Sequence, residues 1–470
     1  MIGEHYLLDG ESAERIYEEI AGLPIFDYHS HLSPRALYED REYRDIDEMW
    51  LDSDHYKWRL MRMAGVAECY ITGEHRGYER FEAFACILSD FVGNPVYEWA
   101  HMELRRYFDI DMPINATNAR YIYDETARII RERHYSPRVL LKVANVDTVM
   151  TTDDPLDELV YHDKLVGEGY DVRVIPTFRV DRILDIGSGD YREYVRALES
   201  MTHTHINSIG DAVLAIEKRL DYFIAHGSCI ADVSLKDIPI HYTRDLAKEA
   251  LTLALRGDTL DITHLHAYLF CMLVELGSMF KRHDIVMQLH IGAVRNNNTI
   301  LYRTLGKDVG VDSIADTMSV ERLGVLLDTI NTVSGLPRMI VYSHNASAYY
   351  PLSTMLGNFA GGTRGRLQLG PAWWMMDSRE GMESVLEVTR NTAGLGYMNG
   401  MLTDSRSYTS FVRHDYFRRV LSSYLGRMVD GGGVDIVHAI SIARDVAYYN
   451  AKRFFGGECH EDDDAVVRDE

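Results

Sequence analysis

The feature that most constrains the fold is the regular alternation of short β-type runs with longer helical patterns. Eight runs are rich in β-branched and other apolar residues. Most are separated by segments whose apolar residues recur three or four positions apart. The runs occupy residues 23–26, 146–152, 170–177, 229–235, 284–290, 338–342, 365–370 and 396–403. Strand and helix alternating eight times predict an α/β protein with a (β/α)8 TIM-like barrel.

An open, doubly wound parallel sheet is the main alternative to the barrel. That fold usually carries a GxGxxG turn between its first strand and the next helix, and the sequence has no such turn there. Residues 36–145 show only helical patterns, which predicts a mainly helical insertion after the first strand, packed over the barrel mouth. The other divisions are an N-terminal segment with the first barrel strand (1–35), the remainder of the barrel (146–455) and an acidic C-terminal tail (456–470).

Composition limits the partners of the protein. The formal net charge is −23, which argues against nucleic acid or an acidic membrane surface. An anionic small substrate stays open, because a local cluster of arginines can reverse the field inside a pocket. The five cysteines lack CxxC spacing, the N-terminus lacks the blocks of a signal peptide, and we expect no apolar run long enough to cross a bilayer. We therefore expect a cytoplasmic protein without a membrane partner.

The first β-type run leads into two histidines, His29 and His31, one residue apart. Residues i and i+2 of a strand point to the same side, so a strand here presents two imidazoles to one point. Imidazole is the commonest metal ligand in proteins, and two imidazoles form half of a site. A pair of surface histidines is the alternative, and the two residues alone do not decide between these interpretations.

A carboxylate at the end of the eighth run, Asp404, favours metal binding. It closely follows the apolar stretch 397–402, and a carboxylate beside a buried strand needs a cation or several hydrogen-bond donors. The first and eighth strands of a closed barrel are neighbours, so Asp404 can reach His29 and His31. Together the three residues predict a metal site at the barrel mouth.

The ends of other runs are also polar, as expected where a barrel carries its chemistry. These positions are Asp153, Asp154, Arg179, His290, Arg295, His344, Asn345, Trp373, Trp374 and Arg406. Each has an ordinary alternative, because lone arginines often form surface ion pairs and tandem tryptophans often pack in a core. Their common position at one face of the barrel favours a pocket.

Seven segments, in order along nearly the whole chain, match one known family. They are residues 27–34 (DYHSHLSP), 54–59 (DHYKWR), 151–155 (TTDDP), 288–298 (QLHIGAVRNNN), 373–374 (WW), 402–407 (LTDSRS) and 413–419 (RHDYFRR). On these segments the chain resembles the uronate isomerase (glucuronate isomerase) family of the amidohydrolase superfamily. The resemblance includes the helical insertion.

The resemblance implies a reaction and a cofactor. The reaction is the interconversion of D-glucuronate with D-fructuronate and of D-galacturonate with D-tagaturonate. The cofactor is one divalent metal ion, usually zinc, bound by His29, His31 and Asp404. The expected partner is therefore a small uronate substrate.

An aldose–ketose conversion moves one proton between adjacent carbons through an enediol. It needs a base, a group that polarises the carbonyl oxygen and a proton donor. We expect Asp404 to be the base, because a carboxylate beside a metal is fixed in place and shielded from bulk water. We expect Tyr56 to carry the second proton transfer, with His55 beside it.

The substrate carboxylate needs an anchor. A planar guanidinium binds a carboxylate through two hydrogen bonds, so we expect at least one of Arg179, Arg295 and Arg406 to contact it. We expect His290 to donate a hydrogen bond to a substrate oxygen and Trp374 to form an apolar wall.

Two other functions stay open at this point. A metal-dependent hydrolase of the same superfamily, acting on a lactone or amide, would show a lysine or two further histidines on the middle strands. His290 could be one of them, and no clear second is present. The other alternative is a non-catalytic sugar-acid binding protein, against which the presence of Asp404 argues. In each case we expect a homo-oligomer, with the exposed part of the insertion as the contact surface.

Overall fold

The computed structural model describes residues 2–316 and 318–456. The predicted acidic tail, 456–470, therefore lies outside the described residues except for Gly456. The described strands are short, and most belong to parallel sheets. They are β1 (Ile25–Asp27), β2 (Val146–Met150), β3 (Arg173–Ile175), β4 (Phe178–Arg179), β5 (Ile230–Leu235), β6 (Val286–Ile291), β7 (Ala293–Val294), β8 (Ser313–Ile314), β9 (Met339–Ser343) and β10 (Leu367–Leu369).

The helices fall between the strands, with a long series between β1 and β2. They are α1 (Glu11–Ile20), α2 (Pro34–Glu39), α3 (Ile46–Leu51), α4 (His55–Met63), α5 (Tyr78–Leu88), α6 (Pro95–Phe108), α7 (Ala119–Arg133), α8 (Pro137–Val143), α9 (Val160–Gly167), α10 (Asp181–Leu184), α11 (Tyr191–Thr202), α12 (Ile209–Ala225), α13 (Arg244–Arg256), α14 (Ile262–Arg282), α15 (Thr299–Leu305), α16 (Val320–Ser334), α17 (Tyr349–Gly357), α18 (Arg379–Thr392), α19 (Val412–Asp430), α20 (Ile436–Arg444) and α21 (Asn450–Gly456).

The parallel strands follow the order expected for a barrel. One sheet runs β1-β2-β3, and a second runs β4-β5-β6-β9-β10. The third predicted run contains β3, and β4 follows just after the run ends. Pro176 lies between the two strands and has no N–H to continue the ladder. A parallel bridge between Asp153 and Phe178 joins the two sheets at this point. Seven of the eight predicted positions therefore form one continuous parallel arrangement, in the order of the (β/α)8 barrel.

The eighth position differs from the prediction. Residues 396–403 form no strand in the described chain, and the run begins in a 3-10 helix, Leu395–Tyr397. Side chains bind much of its backbone in place of a neighbouring strand. Asn399 N–H donates to Gln368 Oε1 at 2.9 Å, and Tyr28 Oη donates to the Gly400 carbonyl at 2.6 Å. Glycine and asparagine are poor strand formers, which explains why the apolar pattern overestimated this run.

Two backbone hydrogen bonds nevertheless close the ring beside β1. Asp404 N–H donates to the His29 carbonyl at 3.0 Å, and His31 N–H donates to the Ser405 carbonyl at 2.9 Å. The Asp27 carboxylate accepts the N–H and the hydroxyl of Thr403, at 2.9 and 2.5 Å. We call this junction of residues 27–31 with 403–405 the closure seam. It places the end of β1 directly beside Asp404.

The range between β1 and β2 is helical, as its sequence pattern indicates. Helices α2 to α8 occupy it, and residues 35–145, all of them described, contain no strand. Helix α4 begins at an N-cap, Asp54, whose side chain accepts the N–H groups of Tyr56 and Lys57 at 3.0 and 3.4 Å. Such a cap contributes about 1 kcal/mol and fixes the first helical turn. His55 and Tyr56 lie on that turn.

A segment after β6, residues 293–314, brings further polar residues to the same end of the barrel, and we call it the excursion. The antiparallel pair β7–β8 encloses α15, and the excursion carries Arg295 and Asp308. Arg59 of α4 donates to the Asp312 carbonyl at 2.7 Å. The excursion and the first helices of the insertion are therefore joined over the strand ends.

In the part of the chain that the structure describes, one helix has the length and composition of a membrane span, contrary to the expectation from the sequence. Helix α14 has 21 residues and a mean hydropathy of 1.2, and 56% of its most apolar window is buried inside the protein. It packs against α13, α16 and β6. Its apolar character is that of a core helix.

A substitution at Gly400 tests the close packing of the eighth run. A Cβ at this position would lie 2.2 Å from the Val446 carbonyl oxygen, so Gly400→Ala is expected to lower the free energy of unfolding by about 2 kcal/mol. Denaturant unfolding measures this change. Gly167→Ala is the control, because its Cβ would have no atom within 4 Å and should leave stability unchanged or slightly higher. Equal effects of the two substitutions would contradict the packing.

Candidate active site

A cavity of about 760 Å³ opens at the carboxyl ends of the parallel strands. Nine of the ten residues with a role predicted from the sequence line it. They are His29, His31, His55, Arg179, His290, Arg295, Trp374, Asp404 and Arg406. The tenth, Tyr56, lies behind the wall, with its ring stacked on the His55 ring at 5.0 Å. The cavity is therefore the place where the predicted residues meet.

The closure seam brings His29, His31 and Asp404 together. Nε2 of His29 lies 3.3 Å from Asp404 Oδ1, and Nε2 of His31 lies 3.1 Å from the same oxygen. Both imidazoles come from the segment just after β1, two residues apart. Asp404 is fixed opposite them by the backbone hydrogen bonds of the seam.

The environment of Asp404 keeps its carboxylate ionised. Burial by itself would raise the pKa of Asp404, but the hydrogen bonds from His29 and His31 hold that pKa well below its usual range. The backbone of Asp404 is left-handed, with φ at 47°, a conformation that costs a non-glycine residue about 1 kcal/mol. Trp374 and Asn296, also in the cavity wall, share this conformation. Strained residues concentrate at functional sites because surrounding contacts enforce a required side-chain direction.

The donor set fits a divalent metal ion. The donor atoms of His29, His31 and Asp404 all lie within 4.8 Å of one another. Burial lowers the pKa of His31 to about 4, so its imidazole is neutral at pH 7 and offers a lone pair. Nδ1 of His29 is buried without a hydrogen-bond partner among the described residues. Two imidazoles and one carboxylate form a three-ligand set that leaves a position for water or substrate.

A second trio, His29 with Asp232 and His290, is equally compact but less suited to a cation. Both oxygens of Asp232 already face donors. His290 Nδ1 lies 2.7 Å from Oδ1, and Arg179 Nη1 lies 3.1 Å from Oδ2. A cation there would have to compete with the fixed positive charge of Arg179. The first trio is therefore the better cation site.

The contact with Asp232 sets the tautomer of His290. Burial lowers the pKa of His290, so the ring is neutral at pH 7. A carboxylate only accepts, so Nδ1 carries the proton and Nε2 is the acceptor. Nε2 is buried without a partner among the described residues. In contrast to the sequence-based expectation of a donor, this nitrogen is arranged to accept a hydrogen bond from a hydroxyl.

The cavity is basic although the protein as a whole is strongly acidic. Six lysines and arginines line it, against four aspartates. The basic residues are Arg179, Arg182, Lys236, Arg295, Lys307 and Arg406. With a low-dielectric wall, this excess favours an anionic ligand.

The three predicted arginines differ in how far carboxylates already occupy them. Arg179 is paired with Asp181 at 2.8 Å and with Asp232, and Arg406 donates to Asp308 at 2.9 Å. Arg295 has only long contacts, the nearest carboxylate oxygen being 3.7 Å away on Asp308. Its guanidinium lies over the Trp374 ring, with Cζ 5.1 Å from the ring centre. Arg295 therefore has the most hydrogen-bond donors left for a ligand.

Sequence reasoning gave no role to several residues of this site. Asp232 is one, and a carboxylate within the fourth apolar run was a signal that could have found it. His344 and Trp373 are others, with ring centres 3.9 Å apart in a stacked pair. Both ring nitrogens of His344 are buried without partners among the described residues, and burial lowers its pKa to about 3. Asp308 lies in the excursion, where no strand pattern marked it.

Comparison with known proteins places the chain in a family. The family model described as glucuronate isomerase matches residues 1–455. A uronate isomerase of Caldanaerobacter subterraneus subsp. tengcongensis is 40% identical over 459 residues, covering 96% of this chain and 98% of that protein. The solved uronate isomerase from Thermotoga maritima superposes with a TM-score of 0.92 at 33% identity, covering 97% of this chain and 99% of that one. The glucuronate isomerase from Caulobacter crescentus gives 0.89 at 25% identity, covering 97% of each chain.

A parallel barrel with a His-His-Asp set at the carboxyl ends of its strands defines a class of α/β barrel proteins with a metal-type site. Within that class, the chain belongs to the glucuronate isomerase family. The expected family and the TIM-like fold are both confirmed by these relatives.

Removing the carboxylate of the first trio tests the cation site. Asp404→Asn is expected to weaken zinc binding by about 100-fold or more, because one of three ligands loses its charge. Competition with a chromophoric chelator measures the affinity. Asp153→Asn is the control, since Asp153 is a buried carboxylate at the end of β2 outside the trio. Unchanged zinc affinity in Asp404→Asn would show that the cation site lies elsewhere.

Proposed function

We propose that this protein is an aldose–ketose isomerase that interconverts D-glucuronate with D-fructuronate and D-galacturonate with D-tagaturonate. The observation that carries the proposal is the basic cavity with an ionised, fixed carboxylate at its centre, in a chain of the glucuronate isomerase family. A uronate carries one carboxylate and several hydroxyls. The cavity offers uncommitted arginine donors for the first and a neutral histidine acceptor for the second.

The base of the reaction is Asp404. It removes the proton from C2 of the aldose while the carbonyl oxygen at C1 takes a proton from solvent, which forms the enediol. Its low pKa keeps it ionised at neutral pH, the state that accepts a proton. A carboxylate this acidic is a weak base, so the C2–H bond must be acidified. A bound divalent cation supplies that polarisation of the substrate oxygens.

The second proton transfer uses Tyr56. Its hydroxyl is buried without a hydrogen-bond partner among the described residues, and burial together with the Asp404 charge raises its pKa well above the usual value. The phenol therefore stays protonated and can donate. The His55 ring, stacked on Tyr56 and 5.8 Å from the Trp374 ring, lies between the phenol and the open cavity, so the Tyr56 proton reaches the substrate by way of His55. The enediol becomes the ketose when C1 takes the proton that Tyr56 supplies and O2 gives its proton to solvent. The proton held by Asp404 then returns to the tyrosinate through solvent.

The substrate carboxylate binds to Arg295. This guanidinium lies over Trp374, and among the described residues its nearest carboxylate oxygen is 3.7 Å away. Its one hydrogen bond there is the long contact from Nη2 to Ser234 Oγ at 3.4 Å, which a substrate carboxylate can replace with a bidentate contact. Arg406 and Arg179, each held by aspartate, orient toward hydroxyl oxygens. His290 Nε2 accepts from one of the hydroxyls.

The cation is zinc, and the protein acts in the cytoplasm. Two imidazoles and a carboxylate form a donor set that zinc favours in sites with an open position. The four described cysteines, Cys69, Cys86, Cys229 and Cys271, are free thiols, which suits a reducing compartment.

Direct turnover tests the proposal. Purified protein incubated with D-glucuronate or D-galacturonate is expected to form the corresponding ketose, followed by a ketose-specific colour reaction and by NMR. In D2O the product is expected to carry solvent deuterium at C1, because the transferred proton passes through groups that exchange with solvent. Hydrolysis of a lactone without turnover of either uronate would instead establish the hydrolase alternative.

The carboxylate anchor is tested by Arg295→Met. Loss of a bidentate guanidinium–carboxylate contact is expected to raise KM for either uronate by about 10- to 100-fold, with a smaller effect on kcat. Steady-state kinetics separate the two. Arg182→Met is the matched control, because Arg182 lines the same cavity but is half-exposed and paired only loosely with Asp154 and Asp190. A larger rise in KM for Arg182→Met than for Arg295→Met would show that Arg295 is not the carboxylate anchor.

A further inference from the structure

The segment 413–419 belongs to the family pattern, but the proposed chemistry leaves it without a role. Its first residue, Arg413, lies in the first turn of α19 and is 2% exposed. The guanidinium is enclosed between two aromatic rings of the helical insertion. Cζ lies 4.7 Å from the ring centre of Tyr56 and 4.0 Å from that of Trp99.

The same guanidinium binds the closure seam. Its Nη1 donates to the Thr403 carbonyl at 3.0 Å, and Thr403 immediately precedes Asp404. Nη1 also lies 3.8 Å from the Asp377 carboxylate. One side chain therefore contacts both the ring of the proposed proton donor and the backbone beside the proposed base.

The charge of Arg413 is not required for packing. Its closest carboxylate contact is long, and its Nε is buried without a partner among the described residues. Holding a cation this way carries a large desolvation cost, which an apolar side chain of similar volume would avoid. A buried charge in such a position is expected where function requires it.

The surrounding charges stabilise the cation without fixing it. Asp54 is paired with Lys57 at 2.6 Å, and Glu103 accepts from the Thr409 hydroxyl at 2.7 Å, so both carboxylates have partners of their own. Burial raises the pKa of Asp377 to about 7, and Arg413 opposes that rise. The direction of the guanidinium is therefore set by the two rings and the Thr403 carbonyl.

We infer that Arg413 is a positioning residue of the reaction, which holds the Tyr56 ring and the Asp404 segment in one fixed relation to each other. The inference rests on the proposed roles of Tyr56 and Asp404. The insertion and the barrel are separate parts of the sequence, so their two reactive groups need a shared contact. The cation over the Tyr56 ring sets the plane of the phenol, and the hydrogen bond to Thr403 sets the backbone that carries Asp404.

Kinetics of Arg413 variants test the inference. Arg413→Met is expected to lower kcat by about 100-fold while KM changes less than about threefold, since substrate-binding groups are untouched and only the alignment is lost. Arg413→Lys is expected to recover part of the loss, because it keeps the charge without the planar fork. Bound zinc per chain and thermal unfolding are measured on the same samples, and zinc content is expected to stay unchanged.

Arg419→Met is the matched control. Arg419 lies on the same helix and also binds backbone carbonyls, donating to Glu4 at 2.6 Å and to Tyr6 at 3.1 Å, but it contacts neither Tyr56 nor the closure seam. This variant is expected to lose stability and keep its kcat. A purely structural role of Arg413 predicts the same behaviour for both arginines.

A double-mutant cycle with Tyr56→Phe keeps the inference testable if Arg413→Met fails to fold. Arg413→Lys is expected to reduce kcat by a smaller factor in the Tyr56→Phe background than in the wild type, because part of its effect passes through the phenol. Equal factors in both backgrounds, or a normal kcat in Arg413→Met, would overturn the inference while wild-type turnover stands. Absence of uronate turnover by the wild-type protein would instead refute the proposed function, and with it this role of Arg413.

Discussion

The contact of the Asp404 carboxylate with His29 and His31 is the constraint on which the site depends. It exists because the closure seam brings the segment after β1 beside residues 403–405. The seam is not an ordinary strand pair. Two backbone hydrogen bonds and the Asp27 carboxylate hold it together, so side chains fix the register where a regular ladder would otherwise do so.

Because the eighth position is not a regular strand, its backbone can take a conformation that a strand does not allow. A regular strand would direct successive side chains alternately to the two sides, whereas Asp404 takes a left-handed backbone conformation that turns its carboxylate toward the two imidazoles. The conformation is held from outside by Arg413 and Asp27. The regular strand geometry of the barrel is therefore interrupted at one position, next to the groups that would carry the chemistry.

The distribution of charged side chains divides the cavity into a cation-binding side and an anion-binding side. On one side, two imidazoles and Asp404 offer a cation site. On the other, an excess of lysine and arginine favours an anion, with Arg295 the least occupied by carboxylates. Asp232 stands between these halves, where it neutralises Arg179 and fixes the tautomer of His290. A substrate that carries a carboxylate at one end and a carbonyl at the other suits this division.

Much of the architecture could be predicted from the sequence because strand and helix periods are local properties. His29, His31 and Asp404 were predictable because they sit at the ends of apolar runs that are neighbours in a closed barrel. The eighth barrel position is less regular than the sequence indicates, because the side chains of Tyr28 and Gln368 bind the backbone of Gly400 and Asn399, long-range contacts that no local pattern reveals. The grouping of Arg413 with Tyr56 depends on long-range packing between the insertion and α19, which one sequence does not specify.

The central claim is that the closure seam builds a single cation site from His29, His31 and Asp404. Anomalous diffraction at the zinc edge from zinc-loaded crystals tests it most directly. One strong peak per chain is expected, within bonding distance of Nε2 of both histidines and of an Asp404 carboxylate oxygen. A peak between His290 and Asp232, or none near Asp404, would contradict it.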